Sequence, residues 1–179
     1  MKKEAERGDA GDWKLHIVPV HHYAVLLAEK TGADKEVVEV AAYLHDYGRL
    51  KFGPENHHET GAREAENILK KLGCDQAFIS HVKNCILTHR SMAGETPASL
   101  EAKIISTADA MVHYDTIPWL LQVRLRENDG NLKEAVEWVL EKVERGWKNK
   151  ILLPEAKEMT RAKYEAAKLL LESALKWLD

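Results

Sequence analysis

Cysteine is nearly absent from this 179-residue sequence, which has only Cys74 and Cys85. Two thiols without metal-site spacing exclude a disulfide framework and a cysteine-ligated metal centre, and they suit a reducing compartment. Also missing is any apolar run long enough to span a membrane. The stretch Met1 to Asp12 is charged and lacks an apolar core, so it does not read as a signal peptide, and the expected location is the cytoplasm. No long basic run stands out, and Lys plus Arg (26) fall short of Asp plus Glu (29), giving a net charge of −3. That balance disfavours a broad nucleic-acid-binding face while leaving room for a small phosphorylated ligand, which needs only a few local cations. There is no convincing strand alternation. Histidine is absent from the last 66 residues, so chemistry carried by the nine histidines belongs to the first two thirds of the chain.

What is present is helical periodicity, in a chain whose 45% hydrophobic content suffices for one domain with a full core. The spacing predicts a first helix over about 15–30, with Ile17, Val20, Ala24, Leu27 and Ala28 inward and Pro19 tolerated near the first turn. His16 then lies at the edge of the buried stripe. A helix capped by Asp34 carries Val37, Val40, Ala41 and Leu44 and ends in His45-Asp46, with Gly48 expected as its left-handed stop. Next come a helix over 57–72, with Asn56 and Glu59 as a capping box, and one capped by Asp75 in which His89 continues the stripe of Phe78, Val82, Cys85 and Ile86. Arg90 to Ala98 reads as a polar loop. A largely apolar helix follows from Leu100 to about Tyr114, capped by Ser99 or Thr96. Helices over about 118–127, 132–145 and 154 to the C-terminus complete the chain, the last with Ala166, Leu169, Leu170 and Leu178 expected in packing. The stretch Gly146 to Leu153 has no period. Trp119, Trp138 and Trp147 are read as exposed, and so as a surface for a homo-oligomer.

Asp109 sits inside the most apolar of these helices. An unpaired buried carboxylate costs several kcal/mol, so it needs a cation, a donor or a metal. His45 and Asp46 end a helix, where the macrodipole favours positive charge. With His16 they make an ordered set of two imidazoles and two carboxylates. Such mixed nitrogen and oxygen ligation suits Mn, Fe, Co, Ni, Mg or Zn.

The first element, His16-Ile17-Val18-Pro19-Val20, the pair in Leu44-His45-Asp46-Tyr47-Gly48-Arg49, and Ala108-Asp109-Ala110 together resemble the HD-domain superfamily of metal-dependent phosphohydrolases. His57, placed before Gly61-Ala62, and His89, closing Ile86-Leu87-Thr88-His89, resemble the members with an expanded, two-metal site. The resemblance implies an all-α HD-domain helical bundle in a single domain. Residues 1–12 would be a flexible N-terminus, 13–115 the domain with the metal site, and 116–179 helices packed on it. It further implies one or two divalent ions, the first held by His16, His45, Asp46 and Asp109, the second by Asp46, His57 and His89. Alternatives are His21 for His16, His58 for His57 and His81 for His89. Asp46 and Arg49 would be catalytic, Arg49 and Lys51 would bind substrate phosphate, and Glu59 or Glu55 would relay a proton. The implied activity is hydrolysis of a phosphate ester, of a nucleotide or another small molecule, by a metal-activated water. Two other activities are compatible with the fold: a di-iron oxygenase, and a noncatalytic nucleotide-binding regulatory module.

Overall fold

The computed structural model describes residues 11–90 and 97–178, and among these it contains no strand. A π-helical stretch, Asp12–Ile17, runs directly into α1 (Val18–Thr31), with Pro19 in the first turn where its missing N–H is not needed. Then follow α2 (Lys35–Leu44), α3 (Tyr47–Phe52), α4 (His57–Lys71), α5 (Gln76–Thr88), α6 (Leu100–Asp115), α7 (Ile117–Glu127), α8 (Leu132–Asn149) and α9 (Pro154–Leu175). The expected caps form. Asp34 accepts from the Glu36 and Val37 N–H groups, Asp75 from Phe78, and Ser99 from Ala102.

Helix α6 is the axis of the bundle. From Ile104 to Tyr114 every residue is buried, Asp109 and His113 included. A helix apolar on all sides has to be surrounded, and α1, α2, α5, α8 and α9 pack around this one. Val20, Leu27, Ile79, Ile86, Ile104, Ile105 and Met111 fill the space between them. Each fully buried aliphatic side chain contributes roughly 1.5–3 kcal/mol. The all-α, single-domain expectation is met.

Several local expectations are corrected. Gly48 does not stop a helix in the left-handed region, since it is absent from the positive-φ residues and lies buried inside α3. It is small because a Cβ there would lie 2.2 Å from the His57 carbonyl oxygen and 2.5 Å from the Gly61 nitrogen. Asn56 enters α4 in a left-handed conformation (φ 45°) and its side chain makes no cap, so the capping box does not form. The aperiodic stretch from Gly146 is partly helical, because α8 continues to Asn149. Trp119 is buried at 6% exposure, and Trp138 and Trp147 are half-buried, so they are not an exposed aromatic surface. Leu169 and Leu170, expected in packing, are 65% and 70% exposed, because the apolar run in α9 is wider than the face it buries.

The expectation for the N-terminus falls mostly outside the described residues, although Asp12 already opens the first helical stretch. Most of the loop expected over Arg90 to Ala98, with Thr96 as a cap, also lies outside them. Among the described residues no helix is long and apolar enough to cross a membrane.

Candidate metal centre

Four breaks in the helical bundle converge on one point. His16 comes from the π-helical stretch, where the widened turn alters the direction of its side chain. His45 is the C-cap of α2, and Asp46 sits at the kink before α3 with φ −104° and ψ 11°. His57 opens α4, His89 caps α5, and Asp109 projects from the middle of α6. All six are buried.

Asp46 stands at the centre. Its Oδ2 lies 3.3 Å from His16 Nε2 and 3.8 Å from His45 Nε2, while its Oδ1 lies 3.3 Å from His57 Nε2 and 3.6 Å from His89 Nε2. One carboxylate therefore faces two pairs of imidazoles, one pair per oxygen. Asp109 Oδ1 is 3.4 Å from His16 Nε2. The donor atoms fall into overlapping groups, His16-His45-Asp46, Asp46-His57-His89 and His16-Asp109-His113, each within 4.8 Å. Two ligands about 2.1 Å from one ion and at right angles sit about 3 Å apart, so these separations fit ligand sets.

The tautomers make a stronger case. Nδ1 of His45 lies 2.8 Å from the Ala42 carbonyl, Nδ1 of His57 2.8 Å from that of Pro54, and Nδ1 of His89 2.6 Å from that of Ile86. A carbonyl accepts only, so each Nδ1 carries the proton and donates it, leaving each Nε2 a lone pair. Yet His57 Nε2 and His89 Nε2 are 3.3 Å apart. The His45 Nε2 lone pair meets His16 Nε2 at 3.2 Å, while Nδ1 of His16 is buried with no hydrogen-bond partner among the described residues. Lone pairs converging on a carboxylate repel unless a cation lies among them. The residues present fit a divalent metal on that ground.

Burial, foremost, lowers the His45 pKa to about 4, against the opposing pull of Asp46. His113 is also pushed well down, by burial first and then by Lys142. Burial alone would raise the two carboxylates, but the imidazoles around Asp46, and Lys150 with His113 beside Asp109, hold both well below their usual range. A pH effect follows for protein stripped of metal. Buried His45 stays neutral to about pH 4, whereas in the unfolded chain it takes up a proton near 6.5. The unfolded state thus binds the extra proton as pH falls through that window, and folding weakens by about 1.4 kcal/mol per unit for each such histidine. The depressed carboxylates lose their contribution only below about 3.8, outside the window. Urea midpoints of chelator-treated protein should be clearly lower at pH 5 than at pH 7. Equal midpoints would mean that these imidazoles titrate normally.

The other sequence candidates lie elsewhere. His21 stacks on Tyr43 with centroids 4.2 Å apart, His58 is 4.0 Å from Glu59, and His81 is 2.9 Å from Glu101, which also accepts the Asp34 N–H. The structure therefore brings His16, His57 and His89 together around Asp46, and not His21, His58 or His81. Arg49 is half-buried at the rim, 3.8 Å from Asp46 Oδ2. Lys51 is not brought to the site: it pairs with Glu64 on the outside and does not line the cavity. Glu55 and Glu59 are exposed and do not line it either.

Two contributors were missed in the sequence. His113 is one turn beyond Asp109, its Nε2 3.8 Å from Oδ1 and its ring stacked on His16 at 5.9 Å. The i, i+4 spacing on an apolar helix was the available signal. Lys150 forms an ion pair with Asp109. Thr107 positions it by donating to the Lys150 carbonyl at 2.9 Å and accepting from the Leu152 N–H at 3.2 Å.

The centre opens into a cavity of about 940 Å³ whose far wall is built by α7 and α8. Residues 15–112 match the HD domain family. Among curated proteins, the tRNA (cytidine(56)-2'-O)-methyltransferases of Picrophilus torridus and Thermoplasma volcanium are each 29% identical, over 67% and 72% of this chain. The chain spans only 37% and 40% of their lengths, and their names belong to those whole proteins. Two crystal structures share the fold. One is of a predicted HD superfamily hydrolase from an uncultured Thermotogales bacterium, with TM-score 0.62 and 23% identity over 96% of this chain and 85% of that one. The other is of an HD-superfamily hydrolase from Bacillus thuringiensis, with TM-score 0.68 and 20% identity over 98% of this chain and 90% of that one. With more than half of its 179 residues matched, the chain belongs to the HD domain family.

Proposed function

We propose that the chain is a metal-dependent phosphohydrolase acting on a phosphate ester of a nucleotide or other small molecule. The observation that carries this reading is Asp46, whose two oxygens each face a separate pair of imidazoles. In this reading residues 13–115 form the unit with the metal site and 116–179 pack on it to close the cavity. His16, His45, Asp46 and Asp109 hold one divalent ion, and Asp46, His57 and His89 a second. Bound there, such ions supply Lewis acidity toward phosphoryl oxygens and acidify a water at neutral pH. Asp46 serves both sets and fixes their separation. The Nδ1 hydrogen bonds of His45, His57 and His89 hold those three imidazoles in the tautomer that presents Nε2 inward. Arg49, at the rim, offers a planar fork to the phosphoryl oxygens, and the geometry of that fork suits two of them at once. Lys150 balances the charge of Asp109. The size of the cavity suits a small molecule better than an extended nucleic acid.

A turnover screen across nucleotides and small phosphate esters, with Mn, Fe or Co supplied, tests the activity. Failure to hydrolyse any of them while the metal is bound would overturn it. The two-ion arrangement has its own test. Replacing His57 and His89 together by Ala should lower the metal content from about two ions per chain to about one, as counted by plasma-source mass spectrometry. A wild-type content that stays near one with metal in excess would leave that pair to contact substrate instead.

A further inference from the structure

Beyond the metal cluster the cavity has an unusual second wall. Its residues include Lys142 and Arg145 of α8, three positions apart and hence on one face, together with Trp138. These lie outside the matched residues 15–112. Counting Arg49, Arg90 and Lys150, five cationic side chains line the cavity, against Asp46, Asp109 and Glu127. Asp46 and Asp109 belong to the metal centre, which leaves one carboxylate for the rest.

Lys142 is the telling member. Among the described residues its one direct contact is the Trp138 ring, 5.2 Å from the ammonium to the centroid. A cation–π contact of this kind is the ordinary explanation for such a lysine. It offsets only part of the charge, which sits at a cavity wall with no carboxylate partner among the described residues. Burial, foremost, lowers its pKa to about 8, and Lys150, Arg145 and Arg49 push the same way against Asp109. Among the described residues Arg145 pairs only with Glu141, 3.7 Å away on the exposed side of the same helix, a pairing that contributes little. One phosphoryl group at the metal cluster is already matched by the ions and Arg49. Lys142 and Arg145 are surplus to it.

We propose that Lys142 and Arg145 form a second anion subsite across the cavity, so that the preferred substrate carries a second phosphate besides the one hydrolysed. This deepens the phosphohydrolase reading and rests on it for the identity of the first phosphate. The apolar side chains of Trp119, Leu120 and Val123 line the same cavity and leave room for a planar or apolar body between the two anions.

The test uses the metal-loaded full chain and the variant Lys142→Met/Arg145→Gln, which keeps the stem over Trp138 and removes both charges. Two substrates are compared, adenosine 5′-monophosphate and adenosine 3′,5′-bisphosphate, in turnover and, by calorimetry, in binding. Wild-type protein should favour the bisphosphate over the monophosphate both in kcat/KM and in affinity. Both ratios should fall by roughly tenfold or more in the variant, the scale of lost charge-assisted hydrogen bonds. Ratios near one in the wild type, or unchanged in the variant, would overturn the subsite. If neither nucleotide is hydrolysed but the bisphosphate binds more tightly than the monophosphate and that preference is lost in the variant, the subsite stands and the hydrolase reading fails. If hydrolysis proceeds without any such preference, the hydrolase reading stands and the subsite fails. Circular dichroism of the variant establishes that it has folded.

Discussion

Asp46→Ala should yield a folded chain with little bound metal and no measurable turnover. Every other ligand candidate belongs to one half of the centre, whereas both oxygens of Asp46 are engaged, one by His16 and His45 and the other by His57 and His89. Removing the carboxylate takes a negative charge from both ion positions at once. The loss in kcat/KM should reach roughly a thousandfold or more, the scale on which a preorganised electrostatic group registers. Folding should survive, because the Nδ1 bonds of His45, His57 and His89 to backbone carbonyls do not involve Asp46. Metal content, turnover and a thermal melt on the same preparation check all three points. A variant that keeps near-normal activity would end the metal-hydrolase reading, and one that keeps both ions without activity would show that Asp46 acts on substrate instead.

Gly48→Ala should be among the most damaging single-methyl changes in the chain. The added carbon would meet the His57 carbonyl oxygen at 2.2 Å and the Gly61 nitrogen at 2.5 Å, both backbone atoms that cannot rotate away. Thr60 Oγ1, at 2.6 Å, can turn, but that relieves only one of the three clashes. Helix α3 must then separate from α4. Overpacking against yielding side chains costs about 1–3 kcal/mol, so a clash with fixed backbone should cost about 3 kcal/mol or more. For a chain of this size that lowers Tm by roughly 6–12 °C. Because His57 opens α4, binding of the second ion in the proposed reading should be weakened as well. Gly61→Ala makes a useful control, since its Cβ would approach nothing closer than 3.3 Å. Equal melting temperatures for wild type and Gly48→Ala would show that the two helices are not packed this closely.

These two residues also mark what was legible in the sequence. His45-Asp46 was readable because helical spacing ended there, and the structure places the pair at the junction of α2 and α3. The order of helices was readable because each carries a 3.6-residue apolar stripe and most start at a capping side chain. Gly48 was readable as important but for the wrong reason. A glycine after a helical run looks like a left-handed stop, and only the approach of α4, set by tertiary packing, reveals it as a contact point. Lys150 was illegible because it follows a stretch without period and is held in place by Thr107, forty-three residues earlier. Trp119 looked like a surface aromatic because it stands next to a proline and a loop. It is the turn from α6 into α7 that folds it back onto His16, ring centroids 6.0 Å apart. Lys142 and Arg145 fall outside the apolar stripe of an amphipathic helix, and a one-dimensional pattern cannot distinguish water from a cavity.

The imidazole-to-carbonyl bonds have a consequence for motion. Ala42 and Ile86 lie in the last turns of α2 and α5, where carbonyls have no partner within the helix. His45 and His89 occupy those carbonyls from one side of the ring while the other side faces the centre. In the proposed metal-loaded protein, fraying of either helix end would break a bond to a ring that an ion also holds, and the two events would become one cooperative opening. Loading the centre would then stiffen the ends of helices that are far apart in sequence, at the Ala42 and Ile86 carbonyls. Slow amide hydrogen exchange at those ends would then be a signature of occupancy, readable without any knowledge of the substrate.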